Sequence, residues 1–368
     1  MDFGDLRKNT VLQTALAFWQ PQAANAGQML DILLEPLSGG DCSEVYLLQS
    51  KTGAFPPVCL KVARDSGRVP LPESPCLGQL RTEALSLRAM ASVPVPDGHF
   101  VPEPLCWRQD KDVQVLLLEY MALCGPRPHS YVDSRGLAQL LHRLHFAPPS
   151  LRTGGLWNET SNRIFDLTEE QSAKLRAGQE KLLTGQWLGF FCNNFIGMTG
   201  QQNLPKTGFF RASEWPDFFD QFRLRPLLEA CARKGLLGKR EQGAGENLCR
   251  HLGELLPRLE RASLLHGDLW SGNVLWWGER GDRKPKACPI LIDPACYYGH
   301  HEVDLAMTKM FGGFSIDFYR EYYSLQAADP GWEQRFEIYN LYHWLNHLLM
   351  FGHSYLGAVR RVLSPFSL

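Results

Sequence analysis

The sequence predicts an α+β chain of two lobes, a small β-rich lobe over residues 1–121 and a larger, mainly helical lobe over 122–368. Three observations predict it: a length of 368 residues, suited to about two domains; short β-type runs confined to the first third; and helical periodicity after residue 121. The first 30 residues read as a helical lead-in. From residue 32 the runs ILLEPL, EVYLLQ, VCLKVA, PLCWRQ and VQVLLLEYM, separated by Gly, Pro and Ser clusters, read as antiparallel strands. QLRTEALSLRAM interrupts them as a helix, because Leu80, Ala84, Leu87 and Met90 recur on one face. Past the hinge expected at residues 119–125, where Cys124-Gly-Pro-Arg-Pro breaks regularity, the segments GLAQLLHRLH, Trp215 to Gly235, ENLCRHLGELLPRLE and FEIYNLYHWLNHLLMFG read as helices. The stretches 65–75 and 278–289 read as inserted surface loops.

Composition narrows the function. Apolar residues make up 44% and charged residues 21%, with 38 Lys and Arg against 39 Asp and Glu, a globular balance with no long-range attraction for nucleic acid or anionic lipid. No apolar run is long enough to cross a bilayer. The start, MDFGDLRKNT, reads as neither a secretory signal nor a transit peptide, so a cytoplasmic location is expected unless a transit peptide has been removed. Ten dispersed cysteines without a C-x-x-C spacing read as reduced thiols that mostly fill the core.

The densest polar cluster in an apolar setting is SLLHGDLWSGNVLWW, residues 263–277. Apolar runs hold its polar loop at both ends, the arrangement by which rigid scaffolds present reactive groups. Asp268 and Asn273 stand at the offset that separates base and metal-binding Asn in a kinase catalytic loop; a turn using both side chains for local backbone bonds is the other reading. The other signals follow kinase order along the chain. ILID ends in Asp293, the position of a second magnesium ligand, with D-P-A replacing D-F-G. Upstream, Lys61 in VCLKVA reads either as an edge-strand lysine facing solvent or as a phosphate-binding lysine aimed by an ion pair with Glu83. In LSGGDCSEVYLL, Gly39 and Gly40 form a turn that lets backbone amides approach phosphate. Walker-type and G-x-G-x-x-G motifs are absent, and His343, His347 and His353 lack a zinc-type pattern, so they read as packing histidines.

LLHGDLWSGN followed by IDPACYYGHHEVDLAMTKMFGGF resembles the fructosamine kinase (ketosamine 3-kinase) family. The likeness extends to SGGDCSEVY, NNFIGMTGQQN, EWPDFFDQFRLRP and YNLYHWLNHLLMFG. It implies a protein-kinase-like fold of the aminoglycoside-phosphotransferase type, with ATP and Mg2+ in the interlobe cleft. The implied reaction is phosphorylation of the third-carbon hydroxyl of a ketosamine, on glycated proteins or small amines, which destabilises the adduct and so repairs the protein. Asp268 would be the base and Asn273 and Asp293 the magnesium ligands. Lys61 with Glu83, and the Gly39-Gly40 turn, would hold phosphates. The backbone of Glu119 and Met121 would meet adenine. Trp270 would stack on the sugar, and His300 and Glu302 would bind substrate, with helix capping an alternative for Glu302. Asp304 would tie its helix to the catalytic loop. Cys42 would be a redox position able to link two chains, giving a monomer or a redox-sensitive homodimer. A kinase of another small hydroxyl compound and a non-catalytic pseudokinase are the competing readings. The first predicts a carboxylate-rich acceptor pocket and the second the loss of the catalytic set.

Overall fold

A computed structural model describes residues 12, 14, 15, 17, 32–37, 43–53, 55–64, 77–95, 99–122, 131–147, 159–205, 208–277 and 288–367. Five antiparallel strands form one sheet in the order β1-β2-β3-β5-β4: β1 (Ile32–Pro36), β2 (Glu44–Ser50), β3 (Val58–Arg64), β4 (Pro104–Asp110) and β5 (Val113–Glu119). Alternation along the strands sends Leu60, Val62, Val115 and Leu117 to an outer core, where helical Leu12 and Ala15 also pack. Ala63, Leu116 and Leu118 face the main core on the other side. Lys61 has the parity of Ala63 and is paired opposite Leu116, so it lies on the inner face of the central strand rather than at an edge.

Between β3 and β4 comes helix α1 (Gln79–Ala91), which buries Leu80, Ala84, Leu87 and Met90 as its periodicity predicts. Gly78 opens it at φ 95°, and a Cβ there would come within 2.7 Å of Gln114 Oε1, the atom that accepts the Leu80 N–H. The expected lead-in is helical where residues 12–17 are described. The hinge at 123–125, the whole loop at 65–75 and residues 278–287 lie outside the described residues. The second expected loop ends earlier than its composition suggests, because Cys288 and Pro289 already belong to a strand.

The remainder is mainly helical. It contains α2 (Tyr131–Phe146), α3 (Glu159–Ile164), α4 (Glu169–Leu183), α5 (Trp215–Phe219), α6 (Arg225–Arg233), α7 (Lys239–Leu255), α8 (Glu302–Met310), α9 (Ile316–Leu325), α10 (Trp332–Phe351) and α11 (Leu356–Leu363). The single helix expected from Trp215 to Gly235 is two α-helices joined by a π-helical turn over Asp220–Leu224. Three two-stranded ladders complete the fold: β6 (Asn194–Ile196) with β7 (Thr199–Gln201), β8 (Ser263–Leu265) with β11 (Tyr297–Gly299), and β9 (Val274–Trp277) with β10 (Cys288–Leu291). The last two position the site. Loop 266–273 joins β8 to β9 and loop 292–296 joins β10 to β11, so the cross-pairing clamps both loops side by side.

The π turn carries Arg223, which is fully buried and, among the described residues, has no carboxylate partner. Its guanidinium lies 3.9 Å from the Tyr297 ring centroid and donates to the Gln202 and Phe222 carbonyls and to Asn203 Oδ1 at 2.6–2.8 Å. Asn203 in turn donates to Asn194 Oδ1, and Gln201 donates to Ala295 O. The β6–β7 hairpin is thereby fixed beside loop 292–296. Arg223→Lys keeps the charge but loses the planar stack and the fork of donors. We expect it to lower the free energy of unfolding by about 2 kcal/mol in urea titration, with Arg223→Ala lower still.

Candidate active site

The inner face of the sheet, the β6–β7 hairpin, both clamped loops and the end of α10 enclose a cleft of about 1110 Å³. Lys61, Glu83, Glu119, Met121, Asp268, Trp270, Asn273 and Asp293 all line it. The sequence-predicted residues it brings together therefore come from strands, a helix and two loops, with Lys61 and Asp293 separated by 232 positions.

Lys61 Nζ donates to Glu83 Oε1 at 2.7 Å and to Asp293 Oδ1. Burial opposes its charge, but Asp293 and Glu83 together hold the ammonium well above the usual lysine range. One cation cannot neutralise two carboxylates, Glu83 with its side chain 11% exposed and Asp293 at 33%. Burial, with Asp293 beside it, accordingly pushes Glu83 up to about 7 against the pull of Lys61. The surplus negative charge suits a divalent cation. Asp293 itself adopts φ 55°, a left-handed conformation uncommon for a residue with a side chain. Asn273 Nδ2 donates to the Asp268 carbonyl at 2.8 Å, which leaves the amide oxygen as the end suited to a hard cation. Asn273 and Asp293 thus fit magnesium in donor type and local charge.

Asp268 is pushed up to about 7, first by burial and then by the charge of Asp293, with Asn273 pulling the other way. A carboxyl poised there exchanges a proton near neutrality. The loop that carries it is fixed from below. Asp304, at the start of α8, accepts the backbone N–H of His266 at 2.8 Å and of Gly267 at 2.9 Å. Burial alone would raise the Asp304 carboxyl, but bonds from His145 and these amides hold it below its ordinary value. Gly267 is required at φ 83°, since a Cβ would sit 2.2 Å from Ala295 O. His266 is kept neutral by burial and joins the two loops. Its Nε2–H donates to Ile292 O at 2.9 Å, and its Nδ1 accepts the Asp268 N–H at 3.3 Å.

Trp270 lies across Gly272, where a Cβ would come 2.2 Å from the indole, and meets the edge of Phe311 at a centroid distance of 6.1 Å. It faces the cleft as its motif suggested. His300 and Glu302 do not. The turn into α8 drives both into the core against α10, where His300 Nδ1 meets Tyr339 Oη at 2.8 Å and Arg335 donates to both Glu302 oxygens at 2.6 Å. Neither lines the cleft, so the substrate role expected for them is replaced by a structural one, and Glu302 is an ion-pair partner rather than a cap. His300, His301 and Glu302 also form a close cluster of metal-ligating types, but Arg335 occupies both carboxylate oxygens of Glu302. His347 bonds the His343 carbonyl and His343 is buried. Gly39, Gly40 and Cys42 lie outside the described residues. Cys59 and Cys106 are pushed by burial up to about 11 and 12, far from thiolate reactivity.

Sequence reasoning missed Asn346 and the rings around it. Asn346 is 1% exposed, lines the cleft, and has no hydrogen-bond partner for its Oδ1. It stands one turn beyond Tyr342, whose hydroxyl donates to Gln201 and feels the charge of Asp268. The usable signal was Asn346 one turn after Tyr342 in YNLYHWLNHLLMF, a helix rich in Leu and aromatic residues.

The fructosamine kinase family model matches residues 168–366. A Synechocystis protein provisionally named a ketoamine kinase is 33% identical over 77% of this chain and 77% of its own length. The ketosamine-3-kinase of Mus musculus is 37% identical over 42% of this chain and 47% of its own length, so the chain spans about half of that relative. A Haemophilus somnus crystal structure, provisionally named fructosamine-3-kinase, superposes with a TM-score of 0.64 at 20% identity, covering 91% of each chain, a likeness of fold. No described helix is long and apolar enough to cross a membrane. Matched over more than half its length and joined to a relative across three quarters of both chains, this chain belongs to the fructosamine kinase family.

Proposed function

We propose that the protein transfers the γ-phosphoryl group of ATP to the third-carbon hydroxyl of a ketosamine, with glycated proteins or small glycated amines as substrates. The observation that carries this is one cleft holding a base poised near neutrality, Asp268, beside an aromatic platform, Trp270, and opposite the Lys61–Glu83–Asp293 cluster. The retained catalytic set argues against a pseudokinase. The described lining carboxylates are Glu83, Glu119, Asp268 and Asp293, while Trp270, Met307, Phe311, Met350, Phe351 and Tyr355, with Asn346 and His347 among them, form the acceptor side. That wall suits the apolar face of a sugar rather than a polycationic antibiotic.

In this reading Lys61, aimed by Glu83, holds the non-transferred phosphates, and the backbone of Glu119 and Met121 meets adenine. Gly39 and Gly40 are the glycines that the sequence offers to cover the phosphates. Asn273 and Asp293 would hold a magnesium ion, which would supply charge neutralisation at the phosphate oxygens. Asp268 orients the sugar hydroxyl and accepts its proton as the oxygen bonds to phosphorus and the bond to ADP breaks. Asn346 offers its unpartnered amide oxygen to a neighbouring sugar hydroxyl. Cys42 remains the position at which oxidation would join two chains, tested by whether Cys42→Ser abolishes an oxidant-induced dimer on non-reducing gels.

The direct test is ATP consumption over a panel of fructosamines, ribulosamines and erythrulosamines. Asp268→Ala should lower kcat by roughly 10²–10⁴-fold; undiminished turnover would sink the mechanism. In the wild type, kcat/KM should rise with pH through about 7, as Asp268 loses its proton, and level off above.

The same carboxyl makes a stability prediction. Its folded value, about 7, lies above the unfolded value of about 3.9, so ionising it costs the fold stability that grows from pH 4 to 7 and is constant above. Asp268→Asn should therefore melt a few degrees above wild type at pH 8 and level with it near pH 4.

Asn346→Leu replaces an unsatisfied buried amide by an apolar group, which is neutral or stabilising. We expect an unchanged or raised Tm, an unchanged KM for ATP, and a KM for ketosamine raised about tenfold, the equivalent of one lost hydrogen bond of about 1.4 kcal/mol. A Tm lowered by several degrees would mark Asn346 as structural.

A further inference from the structure

Among the described residues five large hydrophobic side chains are substantially exposed, and two of them, Phe311 at 44% and Phe351 at 52%, border the cleft. They belong to a continuous series of rings. Trp270 meets Phe311 at 6.1 Å, Phe311 meets His347 at 5.4 Å, and His347 meets Phe351 at 5.6 Å and Tyr355 at 5.0 Å. The series begins two residues after the proposed base and runs outward to solvent. Its outer end is built by Gly352, whose φ of 83° stops α10 directly after Phe351 and turns the chain so that Tyr355 returns against Phe351 and His347.

Contiguous exposed aromatic surface joined to a cleft marks a binding surface, whereas apolar side chains exposed singly are ordinary. We infer that this ring track docks the polypeptide on which the ketosamine is carried, taking apolar side chains next to the glycated lysine. The inference rests on the ketosamine reading of the cleft. A sugar seated on Trp270 with its hydroxyl at Asp268 must send its amine substituent outward, and the track is continuous with that exit. The track's own members are four aromatic residues and a histidine, while Glu83, Glu119 and Asp293 belong to the nucleotide side. A charged flank finds no counter-charge among these rings, whereas Leu or Phe beside the lysine removes both its own surface and that of Phe311 and Phe351 from water. The substrate class favoured is thus a glycated peptide or protein segment with apolar neighbours, over a free glycated amino acid.

The test uses the full chain with ATP and magnesium, on Nα-acetyl ketosamine-lysine and on three peptides carrying one ketosamine-lysine flanked on both sides by Leu, Gly or Asp. The expected order of kcat/KM is Leu above Gly above Asp, with about tenfold between Leu and Gly. Phe351→Ser, at a half-exposed position where folding is not threatened, should bring the Leu-to-Gly ratio close to one, and Phe351→Tyr should restore it. Equal rates on the three wild-type peptides would overturn the inference, as would a Leu preference that survives Phe351→Ser. A change of oligomeric state in Phe351→Ser with the peptide ratio intact would overturn it in favour of a second copy as occupant. A wild-type protein inert toward every ketosamine would instead remove the proposed function beneath it.

Discussion

A single ammonium, that of Lys61, ties the central strand of the sheet to the Glu83 helix and to the Asp293 loop. Removing a lysine from water is expensive, and it is tolerable here because two carboxylates arrive at the same atom. That condition fixes several things together: the parity of β3, the face that α1 turns toward the cleft, and the seating of loop 292–296. It also leaves one negative charge too many. Burial first and then this excess raise Glu83 and, through Asp293, Asp268, so an arrangement that holds the molecule together also supplies the charge balance that the proposed cation site and base require.

A second anion performs the matching task beneath the catalytic loop. Asp304 is fully buried, and its oxygens are used on the amides of His266 and Gly267 and on His145. With His266 bridging to Ile292 O and the two ladders pairing across, the loops that carry Asp268 and Asp293 form one rigid unit. Preorganisation of this kind matters because phosphoryl transfer asks little covalent chemistry of the protein and much alignment. The Arg223 network extends the same unit to the β6–β7 hairpin, whose Phe195, Ile196 and Gly197 reach the cleft.

Legibility in the sequence followed the range of the signal. The sheet strands and α1 were readable because their signals are local: short β-branched and aliphatic runs between turn residues, and Leu80, Ala84, Leu87 and Met90 at helical spacing. Lys61, Glu83, Asp268, Asn273 and Asp293 were readable through order and spacing, and the helix-to-loop role of Asp304 through its position after the catalytic stretch. The roles of His300 and Glu302 were misread because both sit at a helix start near Asp293, and only the partner helix, with Tyr339 and Arg335, decides that they turn inward. The π turn at 220–224 leaves no mark on a 3.6-residue pattern. Helices α3, α9 and α11 escape a periodicity reading because each has at most ten residues, fewer than three turns, and α4 because its sequence, EEQSAKLRAGQEKLL, is mostly polar.

The acceptor side shows how recognition without charge is built. A polar wall would have to match the hydroxyls of one sugar and would leave unsatisfied groups against every other. Here the wall is aromatic, with Trp270 held in place by the absent Cβ of Gly272 and the edge of Phe311, and the polar contribution is concentrated in Asp268 and in the lone amide of Asn346. Ring faces tolerate different carbon skeletons, whereas the distance from a base to one hydroxyl does not. In the proposed reading such a site is strict about which oxygen is phosphorylated and permissive about the sugar, and it leaves discrimination among amine substituents to the rings outside the cleft. That division suits a substrate generated by uncatalysed glycation, in which the chemistry of the linkage is constant and everything around it varies.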